Sequence, residues 1–468
     1  MRFDFPANVM PGEYAVTPDA PEGSHDKKFQ SFDETYPGRS RYLQVDPARY
    51  FSHERMQEEW DGLWTKTWTC AGRLSDIASI GQWFKYDLGR ESFIIARTSP
   101  TEIKAYYNVC RHRGRRLQTS DFGRRDRFTC LFHGWQWNID GRLNQITDPS
   151  CFKQAALDSK AGLDLIPVRC ETWAGYIFIN MDDNAAPLMD FLAEIPAIMR
   201  SYQMEEMHVV KDVVVEFKAN WKIVLEAFLE SYHLQITHPQ AKPYVDDVKY
   251  QIDIYHNGHG RLHTAIGVPS PRVHDDNTLD PVLGYMLAEV GVNPAEFEGR
   301  AAAARAAIAA AKRRKDNAFG IDYSGFTDSQ LTDDWNYSVF PNMTFNTHPE
   351  GVLVMRFLPH SSDPERCYYH VWVISRKLKE GARPPGYMGV EPEVDVSGKT
   401  RPERRYNTSA KPELGEVLEQ DVGNVEAVQQ GLRSRSFDCS KYSEQEQRCM
   451  QLHIEIDNYL SKMHSTRR

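Results

Sequence analysis

The chain has no apolar run approaching the roughly 18 residues that a membrane span requires. Its opening stretch, MRFDFPANVMPGEYAVTPDAPEG, lacks the basic-then-apolar order of a secretory leader. It has no internal repeat and no low-complexity tract beyond one alanine-rich run. Surplus positive charge is missing too. The net charge of −9 argues against a protein that binds nucleic acid with its whole surface, though a local basic patch remains open. Cysteine is sparse, at eight residues in 468. A reducing cytoplasm is the expected location, and there thiols stay free or bind metal rather than pair. What is present is ordinary for a globular protein: 41% hydrophobic and 26% charged residues, and length enough for two domains.

Residues 1–43 are rich in Pro, Gly and Asp and read as irregular. SHERMQEEWDGLWT, residues 52–65, reads as a helix with a serine N-cap. From 66 to about 183 the text turns to short β-like runs broken by turns, the pattern of a small antiparallel domain. Residues 188–203 look helical, and VVKDVVVEF alternates as a strand. The alanine-rich run 295–315 has strong helix propensity and a charged face. Strand-like text returns at WNYSVFPNMTFN, GVLVMRFLPH and CYYHVWVIS. Residues 381–412 read as loop, and helices are expected at about 413–432 and 443–462.

Two stretches of the β-like part each offer one thiol and one imidazole: CRHRGRRL, with Cys110 and His112, and CLFHGWQW, with Cys130 and His133. The pattern is C-x-H, 17 residues, then C-x-x-H. Both halves follow strand-like runs, so two loops at one end of a small β domain could converge on a metal. Thiolates with imidazoles suit zinc or an iron–sulfur cluster. Gly114 and Gly134 permit tight turns beside the ligands. Cys70, Cys151, Cys170, Cys367, Cys439 and Cys449 show no motif spacing and are expected as buried thiols.

A second constellation lies in EAFLESYHLQITHPQ, residues 226–240. Ile223, Val224, Leu225, Ala227, Phe228, Leu229, Tyr232 and Leu234 make a helix apolar on nearly every side, hence a core helix. Glu226, Glu230, His233 and Thr237 nevertheless recur at spacings of 4, 3 and 4, one stripe down that helix. His238 follows, before Pro239. His233 and His238 diverge by roughly 140° on an ideal helix, so they share a metal only if the helix loosens, which Pro239 favours. Two histidines and one carboxylate form the facial triad of non-haem iron oxygenases. Leu414, Leu418, Asp421, Val425, Val428 and Leu432 mark an apolar stripe interrupted by one aspartate, which supplies a carboxylate unless it is a buried Asp–Arg pair. The other candidate, Asp333–Asp334 in LTDDWNY, is expected at a solvated loop edge. Phe228, Leu229 and Leu234 suit an apolar pocket or plain core packing.

The two constellations together resemble the Rieske-type non-haem iron (ring-hydroxylating) oxygenases, large or α subunit. The resemblance rests on the C-x-H…C-x-x-H loops, on NWK followed by E-x-Y-H-x-x-x-x-H, and on Asp421 in LEQDVGN. It implies an α+β chain: a small antiparallel β Rieske domain at 44–183 and a helix-grip (START-like) catalytic domain at 184–468, with 1–43 as an N-terminal extension packed on the latter. Cys110 and Cys130 would bind one iron of a [2Fe–2S] cluster, His112 and His133 the other, with Trp135 beside them. His233, His238 and Asp421 would hold a mononuclear Fe(II). Glu230 would link His233 to a cluster histidine of the neighbouring subunit in a homotrimer, with or without a small β subunit. The chain would use O₂ and two electrons, passed from NAD(P)H through a flavin reductase or ferredoxin. The substrate would be an apolar, aromatic-type compound, hydroxylated or oxidatively demethylated. The alternatives are a quaternary-ammonium monooxygenase of the carnitine or choline type and a Rieske electron carrier without oxygenase activity. Glutamate at position 230 resembles the carnitine and choline branch, but that branch usually has Asn where this chain has Ala227. Glu226 has no assigned task. Arg111, Arg113, Arg115, Arg116, Arg124, Arg125 and Arg127 crowd the cluster loops, as a solvated face or as a collar that steers an acidic donor.

Overall fold

A computed structural model describes residues 31–39, 44–158, 162–273, 277–391 and 393–466. The irregular stretch expected at 1–43 falls mostly outside them. Its described part is ordered: Ser31 caps a turn of helix at Phe32–Thr35 through a capping box with Glu34. Phe32 and Tyr36 pack with Tyr250, Ile252, Ile254, Leu262, Met450 and Ile454. Among the described residues no helix is long and apolar enough to cross a membrane.

The chain forms two compact units. One is built mainly from Gln57–Phe191, with Pro359–Asp363 and the last residues from Tyr459. It holds a seven-stranded sheet in the order Thr69–Arg73, Tyr176–Asn180, Pro167–Trp173, Ile103–Tyr107, Glu91–Arg97, Gln82–Leu88, Phe122–Arg124. A three-stranded sheet, Arg127–Thr129, Gln136–Asn138 and Leu143–Gln145, adds to it. Trp83, Ile94, Tyr106, Phe128, Trp135 and Trp137 form one buried cluster that includes Cys110 and Cys130. The two cysteine loops are thus rooted in the core rather than hung on a mobile edge.

The other unit contains the chain up to Met56, Leu192–Leu358 and Pro364–Asn458. Its eight-stranded sheet runs Val245–Ile254, Gly260–Ile266, Asp334–Val339, Met343–Thr347, Gly351–Pro359, Cys367–Ser375, His208–Phe217, Arg405–Thr408. The last strand runs parallel to His208–Phe217, so the sheet is not purely antiparallel as expected. Both faces of the sheet are covered, which lets polar clusters lie deep. Arg401 and Arg404 from the 381–412 segment reach Asp212, whose carboxyl also meets His370 at 2.6 Å. Burial alone would raise the pKa of Asp212, yet His370 and the two guanidiniums hold it well below the usual range.

Several expected helices break where the chain chemistry breaks them. The 188–203 stretch divides into Leu188–Leu192 and Ile195–Ile198, with Pro196 opening the second piece. The alanine run is α-helical only over Ala304–Lys312; Gly299, at a positive φ of 71°, separates the 3-10 turns Pro294–Phe297 and Ala301–Ala303 ahead of it. Part of its charged face turns inward: Lys312 is buried against Glu350 at 2.8 Å. The late helix is two pieces, Glu416–Val422 and Val425–Gly431, and Val428 is exposed despite the apolar stripe. No disulfide joins the eight cysteines, but Cys151 is exposed and Cys170 half-buried, unlike the buried thiols expected there.

Candidate metal centres

The two cysteine loops fold alike. The Cys110 amide donates to the Arg115 carbonyl at 2.8 Å, and the Gly114 amide to the Cys110 carbonyl at 3.0 Å. The same pair of bonds recurs from Cys130 to Trp135 and from Gly134 to Cys130, at 2.8 and 2.9 Å. Both glycines take a φ of 75°, where a side chain is strained. The two thiols interact directly, and burial pushes the Cys110 thiol up. The His112 and His133 rings lie 4.7 Å apart between centroids, and His112 stacks on Trp135 at 4.9 Å and 6°. The Nδ1 atoms of both histidines are buried without a hydrogen-bond partner. Buried polar atoms are normally satisfied. Two orphaned imidazole nitrogens beside two adjacent thiols are the donor set a Rieske cluster takes. Beside them, Leu131 and Phe132 stand exposed on the second loop. Arg113, Arg116, Arg124, Arg125 and Arg127 are exposed, while Arg111 and Arg115 are half-buried and donate to the Gly162 and Arg116 carbonyls.

The 226–240 stretch is not the single buried helix its apolar residues suggest. A helix capped by Asn220 ends at Glu226, and a short one resumes at Leu234–Thr237. Glu226 and Glu230 therefore do not share a helical stripe, and they serve different partners. Glu226 accepts from Tyr50 at 2.9 Å and Tyr442 at 3.2 Å, and lies 2.9 Å from His453 Nε2. That answers its burial: three polar groups from the N- and C-terminal segments hold it. Tyr232 and Ile236 are exposed rather than buried.

Past the break, His233, His238 and Asp421 each offer a donor atom, and the three lie within 4.8 Å of one another. His238 Nε2 is 2.6 Å and His233 Nε2 is 3.2 Å from the same Asp421 oxygen. His238 has left helical geometry, at φ −121° and ψ 58°, next to Pro239. The outer nitrogens are also held. Glu230 Oε1 is 2.7 Å from His233 Nδ1, and Gln420 Oε1 is 2.8 Å from His238 Nδ1. Gln240 donates to Gln420 Oε1 at 2.7 Å, which fixes that amide. With each Nδ1 engaged, each Nε2 lone pair is free for a metal. Two imidazoles and one carboxylate, converging and oriented from behind, fit a ferrous ion. Burial opposes a charged His233, but the bonds to Asp421 and Glu230 win and raise its pKa to about 10, so a metal that binds at Nε2 must displace a proton there.

The rival carboxylate is elsewhere. Asp333 is not solvated at a loop edge: it is fully buried, 2.8 Å from His263 and bridged twice by Arg305, at 3.0 and 2.7 Å. Asp334 meets Asn346. Among the described residues Asp421 is in no arginine pair but faces the two imidazoles. Gln420 and Gln240 were not found by periodicity. Consecutive residues point about 100° apart on a helix, so Gln420 and Asp421 belong to different stripes. They meet because His238 stands beyond the helix end and offers one ring edge to each.

Fold and centres together define a two-centre, cluster-plus-iron protein. Residues 204–462 match the family "Ring hydroxylating alpha subunit (catalytic domain)", and residues 67–158 match "Rieske [2Fe-2S] domain". The chain belongs to the ring-hydroxylating α-subunit family and carries a Rieske domain. Among curated relatives, it is 30% identical over 229 residues to the carnitine monooxygenase oxygenase subunit of Escherichia coli (strain K12), covering 48% of this chain and 59% of that one. It is 32% identical over 195 residues to the glycine betaine monooxygenase oxygenase subunit of Pseudomonas aeruginosa (strain UCBPP-PA14), 42% and 44%. It is 30% identical over 200 residues to the benzene 1,2-dioxygenase subunit alpha of Pseudomonas putida, 41% and 44%. The matches thus span less than two thirds of these relatives. Among solved structures, a quaternary ammonium Rieske monooxygenase, described as giving insight into carnitine oxidation and inter-subunit electron transfer, superposes with a TM-score of 0.64. That match has 19% identity and covers 89% of this chain and 95% of the other.

Proposed function

We propose that this chain is the terminal oxygenase of a multicomponent system. It takes O₂ and two electrons from a ferredoxin or flavin reductase, itself supplied by NAD(P)H, and oxidises a small quaternary ammonium compound. The convergence of His233, His238 and Asp421 carries the oxygenase reading, because a pure electron carrier has no use for that set. Cys110, Cys130, His112 and His133 would hold the [2Fe–2S] cluster, and the triad a mononuclear iron. When bound, these centres supply electron relay and oxidising power; the protein supplies binding, orientation and dryness. Glu230 and Gln420 would keep the two iron-site imidazoles in one tautomer. The assembly would be a homotrimer in which electrons cross between chains, from His133 of one subunit through Glu230 to His233 of its neighbour.

The quaternary-ammonium reading draws on the relatives named for carnitine and glycine betaine, and on glutamate at position 230. It is preferred to the apolar aromatic substrate that the sequence suggested. That second reading keeps two supports: the benzene dioxygenase relative, and the packed rings of Phe228, Phe357 and Tyr369. Purified protein with a surrogate reductase decides between them. O₂ uptake and product formation are expected with glycine betaine, L-carnitine or choline, and not with benzene. The reverse result would overturn the substrate assignment. A colourless protein without iron would overturn the oxygenase reading.

A further inference from the structure

In the stretch 147–154 every residue but Phe152 is exposed. Asp148 takes a left-handed φ of 49°, Pro149 opens a single 3-10 turn to Cys151, and the Phe152 amide closes it on the Pro149 carbonyl at 3.1 Å. The turn delivers the phenyl ring to the core cluster that includes Cys110 and Cys130. There it stands on edge against two rings at once, 5.8 Å and 80° from His112 and 5.7 Å and 74° from Trp135. His112 and Trp135 are themselves stacked, within 6° of parallel. Phe152 thus closes one side of that stack. His133 is clad differently. Its ring lies 3.9 Å from that of Phe132, which is exposed and carries the Arg113 guanidinium 5.1 Å above its centroid. One imidazole is walled by packed apolar rings, and the other sits under an exposed ring beside a cation.

We infer that Phe152 keeps water from the His112 side of the [2Fe–2S] cluster and thereby lowers the cluster's reduction potential. This rests on the assignment of Cys110, His112, Cys130 and His133 as its ligands. The sign follows from charge. Two ferric ions, two sulfides, two thiolates and two neutral imidazoles sum to zero. The one electron taken from the donor turns one ferric ion ferrous and leaves a single negative charge. A dry, apolar surround disfavours the charged form more than the neutral one. Phe152 therefore holds the potential down, and the electron leaves the cluster more readily. Phe152 binds no metal; it acts through the ring of His112.

Spectroelectrochemical titration of the cluster-loaded protein at one neutral pH tests this with Phe152→Ala and Phe152→Leu. Leucine keeps an apolar cover, and alanine removes it. Expected for Phe152→Ala is a rise in the reduced-to-oxidised ratio of about tenfold at a given applied potential, which for one electron is about 59 mV. Phe152→Leu should stay close to the wild type. Deuterium modulation in the EPR of the reduced cluster, recorded in D₂O, should grow in the alanine variant and not in the leucine variant. A potential that is unmoved or lower in Phe152→Ala overturns the inference, and a reduced Tm beside it would assign Phe152 to packing alone. Equal shifts in both variants overturn it too, because an apolar cover would then make no difference. If alanine costs the protein its cluster, Phe152→Val takes its place: a rise upholds the inference and no rise overturns it. A wild type without a Rieske spectrum overturns the ligand assignment itself, and this inference with it, before any variant is compared.

Discussion

Gln420 Oε1 lies 2.8 Å from His238 Nδ1, while the next residue, Asp421, meets the other nitrogen of the same ring at 2.6 Å. Two neighbouring side chains thus grip one imidazole from both edges. Gln240 completes the device by donating to Gln420. Gln420→Ala is expected to weaken Fe(II) or Co(II) binding by about 10- to 100-fold, the usual effect of losing a partner behind a metal ligand. Cluster absorption should not change. Titration of chelator-treated protein checks this. Unchanged metal affinity would show that the ring is held by Asp421 and packing alone.

The two aspartates considered as third ligand now separate by what they touch. Asp421→Ala is expected to lose mononuclear iron and oxygenation while the cluster spectrum stays intact. Asp333→Ala should keep its iron but lose roughly 3 kcal/mol or more of stability, since it strands Arg305 and His263 at a buried site. Iron analysis and melting of both variants give the answer. Iron loss in the Asp333 variant, with retention in the Asp421 variant, would exchange their roles.

The sequence was legible where chemistry is written in spacing. The paired C-x-H and C-x-x-H loops and the pair His233 and His238 needed no tertiary contact to be noticed, and Asp421 stood out as one acid in an apolar stripe. What escaped was set by long-range partners. The helix through Glu226 breaks after that residue because Tyr50, Tyr442 and His453 engage Glu226, while Glu230 turns to His233. No periodicity encodes residues 176 and more positions away. Asp333 escapes for the same reason: its partner Arg305 comes from the alanine-rich run, 28 residues away. Gln420 was invisible because a one-residue step leaves the stripe.

His348 gives a pH signature. It is buried with its ring 3.9 Å from that of Tyr387, and burial and Lys312 lower its pKa to about 4. In the unfolded chain it titrates near 6.5. The unfolded state therefore takes up the proton first as pH falls, and stability is lost between about pH 6.5 and 4. At 1.36 kcal/mol per unit, that amounts to roughly 3 kcal/mol. His370, whose pKa is lowered mainly by burial, acts in the same direction. Urea unfolding across this window should show a shallower pH slope for His348→Phe than for the wild type. Parallel curves would mean that other groups set the acid limit.

The exposed arginines beside the cluster loops make a prediction about the donor. Turnover with the native ferredoxin or reductase should fall as salt rises, mainly through slower association, because exposed charges are screened over about 8 Å at physiological ionic strength. Stopped-flow reduction of the cluster measures it directly. A rate independent of salt would return these arginines to an ordinary solvated face.

The last prediction concerns electron transfer between chains. Glu230 spends Oε1 on His233 Nδ1 at 2.7 Å and Oε2 on the His233 amide at 3.2 Å. A carboxylate has about four lone-pair sites, so capacity remains for a second imidazole. His133 sits on a loop whose neighbours Leu131 and Phe132 are exposed. If the link runs from His133 of one subunit to Glu230 of the next, the two centres that work together belong to different chains. Cys110→Ala should remove the cluster and spare the iron; His233→Ala should do the reverse. Each variant alone should be inactive. Co-expressed with distinct tags and purified through both, they should form mixed assemblies in which an intact cluster meets an intact iron across an interface. Part of the activity should then return. Glu230→Gln in the chain that keeps its iron should reduce that recovered activity while iron content holds. Mixed assemblies that carry both metal centres and stay inactive would place the electron path within one chain, and Glu230 would then serve only to orient its own His233.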